Sequence, residues 1–167
     1  CEISRFPANC SIFTSWYRND EWTELELPET INSKDNNTSQ PSCINFDGAN
    51  LLFFSSDRPG GKGGMDIWFT QVINDSTFSI PNCINSINTP GNEITPFYNN
   101  ADSSLYFSSD WYFNYGGFDI FKTKITNMNY SKVENVGNNI NSGYNDLYYY
   151  VFNKYGKAYF CSNRDSI

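Results

Sequence analysis

Short hydrophobic runs alternate with polar punctuation along the whole chain. LLFFSS at 51–56, DIWFTQV at 66–72, SLYFSS at 104–109, DIFKTKI at 119–125 and KAYFCS at 157–162 are rich in β-branched and aromatic residues. Runs of that length and composition predict strands. No window of helical length carries an i, i+3, i+4, i+7 apolar stripe with caps at its ends. Between the runs, DG, GG and NN pairs mark turns. In LLFFSS, Leu51 and Phe53 face one way while Leu52 and Phe54 face the other. Apolar side chains on both faces suit a strand packed between two layers. The expected fold class is all-β.

The runs repeat. FFSSD at 53–57 returns as YFSSD at 106–110 and YFCSN at 159–163, a step of 53 residues each time. GGMDIW at 63–68 returns as GGFDIF at 116–121, again 53 residues on. INS at 31–33 returns as INT at 87–89 and INS at 140–142, steps of 56 and 53, and Trp22, Phe78 and Tyr130 each open the run before. Independent landmarks sharing one period define a structural repeat. The first whole unit is read as strands at 41–46, 51–56, 65–72 and 77–83, the second as strands at 94–99, 104–109, 118–125 and 130–136. A unit of about 53 residues holding four short antiparallel strands is what a β-propeller blade requires.

The repeat phase sets the expected organisation: 1–27 the back half of a blade plus an insertion, 28–84 and 85–137 whole blades, and 138–167 the front half of another. Cys1-Glu2-Ile3 is placed where Met65-Asp66-Ile67 stands, which puts about eight extra residues into 4–21. Propellers close with roughly four to eight blades. Joined to each other, the half-blades complete only a third one, so the chain is expected to be part of a ring belonging to a larger protein.

Composition narrows the chemistry. With 167 residues, 39% of them hydrophobic and 18% aromatic, the chain has the material for a packed core. Asparagine is the commonest residue, with 24 copies, as turn-rich β structure favours. The net charge of −7 and pI near 4.4 leave no electrostatic footprint for nucleic acid. Histidine is absent, which removes Ser-His and Cys-His nucleophile pairs, the imidazole base and every His-containing zinc site. Cys1, Cys10, Cys43, Cys83 and Cys161 form no CxxC pair. Cys1 and Cys10 can bridge in an oxidising compartment, whereas the other three lie in strand-like runs, where a buried Cys acts as a small hydrophobe. A first-position Cys also fits a lipidated bacterial lipoprotein, although the repeat phase explains this start better. No apolar stretch approaches the ~18 residues of a membrane span.

LLFFSSDRPGGKGGMDIW at 51–68 and SLYFSSDWYFNYGGFDIF at 104–121 closely resemble the WD-like repeat of TolB-type β-propellers. Each blade of that family carries an aromatic-Ser-Ser-Asp strand end, a Gly-rich loop and an Asp-Ile-aromatic strand start. The Arg-Pro-Gly-Gly-x-Gly-Gly loop with the preceding Ile-Asn-Ser/Thr is similar to the variant in OmpA-family envelope proteins of Bacteroidota. These join a propeller to helical repeats and a peptidoglycan-binding domain, and some serve gliding motility and type IX secretion. The resemblance implies a periplasmic, outer-membrane-associated protein with protein partners in an envelope complex. Peptidoglycan would be reached only through a domain outside this chain. The second loop, Trp111 to Tyr115, departs from the pattern by losing Arg-Pro-Gly-Gly.

The landmark residues have structural expectations. Gly60, Gly61, Gly63 and Gly64, with Gly116 and Gly117, are expected to permit a tight strand connection. A phosphate-binding loop would need GxxxxGK[ST] leading into a helix, and here Asp66-Ile67-Trp68 leads into a strand. The loop is one residue too long for a calcium-binding nonapeptide, so no metal or other cofactor is expected. Asp66 and Asp119 are expected to accept hydrogen bonds from loop N–H groups, and Asp57 and Asp110 to cap the other side of the same connection. Glu93 and Asp146 recur at equivalent repeat positions, which suits structural residues better than a catalytic pair. Trp111, Tyr112, Phe113 and Tyr115 form a candidate partner patch, while Tyr148, Tyr149 and Tyr150 are read as inter-blade contacts. The expected function is a non-catalytic protein-interaction scaffold of the bacterial envelope. The alternatives are a propeller glycoside hydrolase or peptidase-gating propeller, and a glycan-binding propeller.

Overall fold

The computed structural model describes residues 9–165. The fold is all-β, with its strands in antiparallel sheets. A short hairpin, β1 (Tyr17–Arg18) with β2 (Glu21–Trp22), comes first. A four-stranded sheet follows, with β3 (Thr38–Phe46), β4 (Ala49–Ser56), β5 (Asp66–Gln71) and β6 (Asn82–Cys83) side by side in chain order. The next sheet repeats this path with β7 (Glu93–Asn99), β8 (Ser104–Ser109) and β9 (Asp119–Thr126). On its far edge, β10 (Asn129–Tyr130) and β11 (Glu134–Asn135) both pair with β9. A last hairpin joins β12 (Asp146–Phe152) to β13 (Lys157–Ser162) through a 3₁₀ turn at Asn153–Tyr155.

The first three strands of each whole unit lie within a few residues of the positions read from sequence. The fourth does not run through 77–83 or 130–136 as expected, but breaks into short pieces. Serine explains the break. The Ser79 hydroxyl accepts from the Gln71 amide at 2.9 Å while Thr70 Oγ1 donates to the Ser79 carbonyl at 2.6 Å. Ser131 and Thr123 repeat this on β9, with the Lys124 amide 2.9 Å from the Ser131 hydroxyl. Side chains thus take over ladder bonds that a continuous strand would make backbone to backbone.

Alternation along β4 sorts the core. Leu51 and Phe53 cluster with Ile67 and Ile87 and with Leu105, Phe107 and Phe121 of the second sheet. Leu52 and Phe54, on the opposite face, cluster with Trp68 and Phe78 and with Ile12 and Ile31 from the segment before the sheet. The first sheet is therefore covered on one face by the second sheet, and on the other over β4 and β5, whereas Cys43 on β3 is left exposed there. Each fully buried Phe contributes roughly 1.5–3 kcal/mol.

Equivalent hydrogen bonds place the first unit. Asn88 grips Ile67 through both its amide and its carbonyl, each at 2.9 Å, and Asn141 grips Ile120 at 2.8 Å in the same way. Asn32 makes the same pair of bonds, both at 2.8 Å, to Ile12. The Thr38 amide donates to the Cys10 carbonyl as Glu93 does to Met65 and Asp146 to Phe118. Cys10-Ser11-Ile12 thus holds the place of Met65-Asp66-Ile67, and residues 10–32 match 65–88 with no insertion and one residue fewer. The expected alignment of Cys1-Glu2-Ile3 is replaced, those three residues lying outside the described ones. Ser11 where Asp would stand, and the lack of a glycine pair before it, hid the true phase.

Candidate functional site

The glycine loops dock onto the unit that follows them. Asp66 is buried at the start of β5, and its Oδ2 accepts from the Lys62 and Gly63 amides at 2.8 and 3.2 Å. Asp119, equally buried, accepts from the Tyr115 amide at 2.9 Å and from Asn135 Nδ2 at 2.7 Å. These carboxylates tie the loop to the strand it enters. A Cβ on Gly63 would lie 2.4 Å from the Thr89 and Gly91 carbonyl oxygens, and one on Gly116 2.5 Å from that of Gly143, so both must remain glycine. Gly61 lies against the Asp66 carboxylate, Gly64 and Gly117 lie against the Asn92 and Asn145 side chains, and Gly60 turns with positive φ. Asp57 and Asp110 do something other than cap the glycine connection. Each grips the entry of its own unit's first strand: Asp57 takes the Asn37 amide and side chain at 2.6 and 2.8 Å. Asp110 takes those of Asn92, both at 2.7 Å.

On this frame the 111–115 loop projects Trp111, Phe113 and Tyr115, with 59%, 96% and 52% of their surface exposed. Tyr112 is not part of that patch. It packs on Phe107 and Phe121, and its hydroxyl donates to the Ile87 carbonyl at 2.8 Å. Burial, reinforced by the nearby Glu93 charge, pushes its hydroxyl up to about 12. In the flanking units the matching carbonyls, Ile31 and Ile140, receive Arg58 and Arg164 at 2.5 Å. Tyr112 therefore replaces the guanidinium lost with the Arg-Pro-Gly-Gly stretch. Tyr144 joins the exposed aromatics, its hydroxyl donating to Asp165 at 3.1 Å.

A second feature lies along the first strands of the units. Each carries a β-bulge, between Ser39 and Ser42, Ile94 and Phe97, and Leu147 and Tyr150. Within each bulge one residue adopts positive φ: Gln40 at 56°, Thr95 at 55° and Tyr148 at 57°. This conformation is costly for any residue with a Cβ, and most of all for β-branched Thr. A relay compensates. Gln40 Oε1 accepts from the Thr95 amide at 3.1 Å, and Thr95 Oγ1 accepts from the Tyr148 amide at 3.5 Å, so the Gln40 and Thr95 side chains each cap the next bulge. Pro41 and Pro96 follow at positions where the bulge interrupts pairing, so their missing N–H costs little. Together the bulges line a cleft of about 230 Å³. Tyr149 stacks on Tyr106 at 4.7 Å and Tyr150 packs on Phe97 at 4.8 Å, which places both in contacts between units. The Gln-Pro and Thr-Pro pairs were the only sequence signal of the bulges.

The buried acids Glu93 and Asp146 are engaged with the scaffold. Glu93 receives Thr89 N and Oγ1 at 2.7 and 2.6 Å and Ser109 Oγ at 2.7 Å. Asp146 receives Ser142 N and Oγ at 2.7 and 2.9 Å and Arg164 at 2.5 Å. Among the described residues no three His, Cys, Asp or Glu side chains converge as metal ligands, and no helix is long and apolar enough to cross a membrane. The cysteines differ from expectation. Cys43 and Cys161 are exposed on their strands and Cys83 is half-buried, because the sheet faces bearing Cys43 and Cys161 are uncovered. Cys10 is also exposed, and Cys1, with which the sequence reading allowed a bridge, lies outside the described residues. Comparison of the chain with known protein families, with curated proteins and with solved structures found no match.

Proposed function

We propose that the chain is a non-catalytic recognition module, a part of a β-propeller whose rigid blades hold an aromatic loop for a protein partner in the bacterial cell envelope. Supporting the blade reading are two successive antiparallel sheets, one of four strands and one of five, whose central strands share one register, packed face to face, with equivalent Asn clamps between units. The observation that carries the binding reading is the trio Trp111, Phe113 and Tyr115, exposed on a loop whose backbone Asp119 and Gly116 hold in place. Exposed aromatics on a rigid support bind at low entropic cost. The burial of Glu93 and Asp146 among Ser and Thr donors favours the scaffold over a hydrolase pair. The envelope location and the link to type IX secretion or gliding rest on the TolB-like and OmpA-family resemblance. Photocrosslinking tests this reading: a benzophenone at position 113, in the native envelope, is expected to trap one defined protein, and the same group at exposed position 132 is not. Equal trapping at both positions, or none at 113, overturns it.

A second reading, glycan binding, is favoured only by the bulge-lined cleft, where Tyr148 and Tyr150 expose ring surface. Titration of peptidoglycan fragments against intrinsic fluorescence, with Tyr150→Ala as the comparison, tests it. Identical titrations of the two proteins remove the cleft from consideration.

A further inference from the structure

The loop face of the middle unit is aromatic and acidic. Trp111, Phe113 and Tyr115 point outwards at alternate positions, while Tyr112 between them packs onto the core. The loop meets a neighbour on each side. The Trp111 side chain lies against Gly91, where an added Cβ would stand 2.7 Å from the Trp111 Cβ. On the other side the Gly117 amide donates to the Tyr144 carbonyl at 3.2 Å, and Tyr144 adds a ring that is 44% exposed. Both lateral neighbours of this unit are described, so a further repeat stacked beyond either would leave the face open. Two exposed carboxylates bound the aromatic strip: Asp110, next to Trp111, and Asp165, which accepts from the Tyr144 hydroxyl. Among the described residues neither is in an ion pair. The charge around them is one-sided, since from Gly63 to Phe121 the chain has six acids and no Lys or Arg. Where both flanking units carry an arginine, this one carries Trp111, and those arginines are engaged in their own units. Arg58 donates to the Ile31 carbonyl and Thr38, Arg164 to the Ile140 carbonyl and Asp146. Lys62 belongs to the first unit's loop, and residues 89–91 lie between that loop and Trp111.

We propose that this face binds an extended basic segment of the protein partner, whose Arg or Lys side chains lie over the Trp111, Phe113 and Tyr115 rings while Asp110 and Asp165 hold its charge. The proposal rests on the recognition reading above and names the chemistry of its partner. A cation over an aromatic face is attracted by the ring quadrupole, most strongly at Trp. The alternation of the rings matches that of side chains on an extended segment, which point to one side at every second residue. Carboxylates at the rim of such a site steer the encounter and fix the orientation of a positive ligand. The net charge of −7 acts in the same direction at longer range, and it opposes docking on an anionic lipid surface.

Fluorescence anisotropy tests it with a labelled peptide, capped at both ends, that alternates Ser and Arg, beside the same peptide carrying citrulline for arginine. Citrulline keeps the shape and loses the charge. The arginine peptide is expected to bind roughly tenfold more tightly, as two cation–ring contacts give, and to weaken as salt rises. Trp111→Leu keeps apolar surface without a ring face, and Phe113→Ala removes a side chain that is 96% exposed. Each is expected to weaken the arginine peptide by about two- to five-fold. Asp165→Asn is expected to weaken it as well. Asp47→Asn, the same loss of charge in the turn between β3 and β4 at the opposite end of the strands, is expected to leave it unchanged. Equal binding of the two peptides, ring variants that bind like wild type, or equal effects of the two Asp→Asn changes overturn the proposal. The photocrosslink separates the levels of failure. A defined protein trapped at position 113, with no preference for the arginine peptide, keeps the recognition module and removes its cationic chemistry; no trapping at 113 removes the module and the proposal with it.

Discussion

Glu93 and Asp146 open the first strands of successive units, 53 residues apart, and both are wholly buried. Each accepts the amide and hydroxyl of the residue four places earlier, Thr89 or Ser142. They differ in what lies opposite. Asp146 faces Arg164, which also stacks over Phe160. In the middle unit Trp111 stands where that arginine would, and Glu93 meets only neutral donors. Burial pushes Glu93 above the ordinary carboxylate range, against the hydrogen bonds from Thr89 and Ser109. Burial acts the same way on Asp146, but the bonds from Ser162, Arg164 and Ser142 together outweigh it and bring it below its ordinary value. The first unit has a third arrangement, with Thr38 in the same place accepting from Arg58 at 3.0 Å. One backbone frame thus accommodates an ion pair, an unpaired acid and a neutral hydroxyl. What it preserves is a donor for the carbonyl of Ile31, Ile87 or Ile140.

The sharpest way to break this comparison is Asp146→Asn. The amide has one acceptor oxygen, so it cannot serve Ser142 on one side and Arg164 on the other, and the guanidinium loses its partner. Breaking a buried pair from one side costs about 3 kcal/mol, and urea denaturation at neutral pH is expected to show a loss of that order. The pH dependence has a definite sign. A lowered folded-state value means that the stabilisation is present above the unfolded value of about 3.9 and lost as pH falls through the folded one. The gap between wild type and variant should therefore close on acidification, and a gap that persists undiminished at the lowest accessible pH contradicts the pairing.

Tyr112→Phe comes next. It leaves the packing against Phe107 and Phe121 and removes only the donor to Ile87, so the expected cost is about 1–2 kcal/mol, seen as a lower Tm. Adding Trp111→Arg to that variant is expected to restore most of the loss, since it returns the residue found at 58 and 164. The restored cation should also pull Glu93 towards its ordinary range, which a shift of its carboxyl ¹³C titration would report. Failure of the arginine to rescue would mean that the tyrosine hydroxyl is not its replacement.

The middle unit also shows why some of the structure was legible in the sequence and some was not. Phe53-Phe54-Ser55-Ser56 and its returns made the strand order readable, because a strand buried on both faces leaves a continuous apolar run that turn residues bound. The loop carboxylates Asp66 and Asp119 were readable because they recur with the glycines they hold. Tyr112 was not, since its hydroxyl reaches the arginine's carbonyl from a backbone position one residue further on. The bulges at Gln40, Thr95 and Tyr148 were hidden because three different side chains occupy one strained conformation, supported by bonds to units 53 to 55 residues away. Ser11 carries no landmark, and the bonds of Asn32 to Ile12, which match those of Asn88 to Ile67, with that of Thr38 to Cys10, reveal that residues 10–32 match the outer half of a unit.

Glu93→Gln has the smallest expected effect and sharpens the comparison most. In place of the carboxylate, one oxygen can accept from the Thr89 amide while the NH₂ group donates to the Thr89 and Ser109 hydroxyls, which rotate to accept. Every buried polar atom keeps a partner, so the change at neutral pH should stay within about 1 kcal/mol, and its direction should be stabilising because a buried charge is removed. A raised folded-state value means that the stability Glu93 contributes is present below the unfolded value of about 4.3 and lost as pH rises through the folded one. The wild type should therefore fall behind the Gln variant as pH climbs from 4 towards 7, the reverse of the slope set by Asp146. Denaturation curves of both proteins across that range decide the matter. Parallel stability profiles would show that Glu93 is as well compensated as Asp146, and the missing arginine would then have no electrostatic consequence.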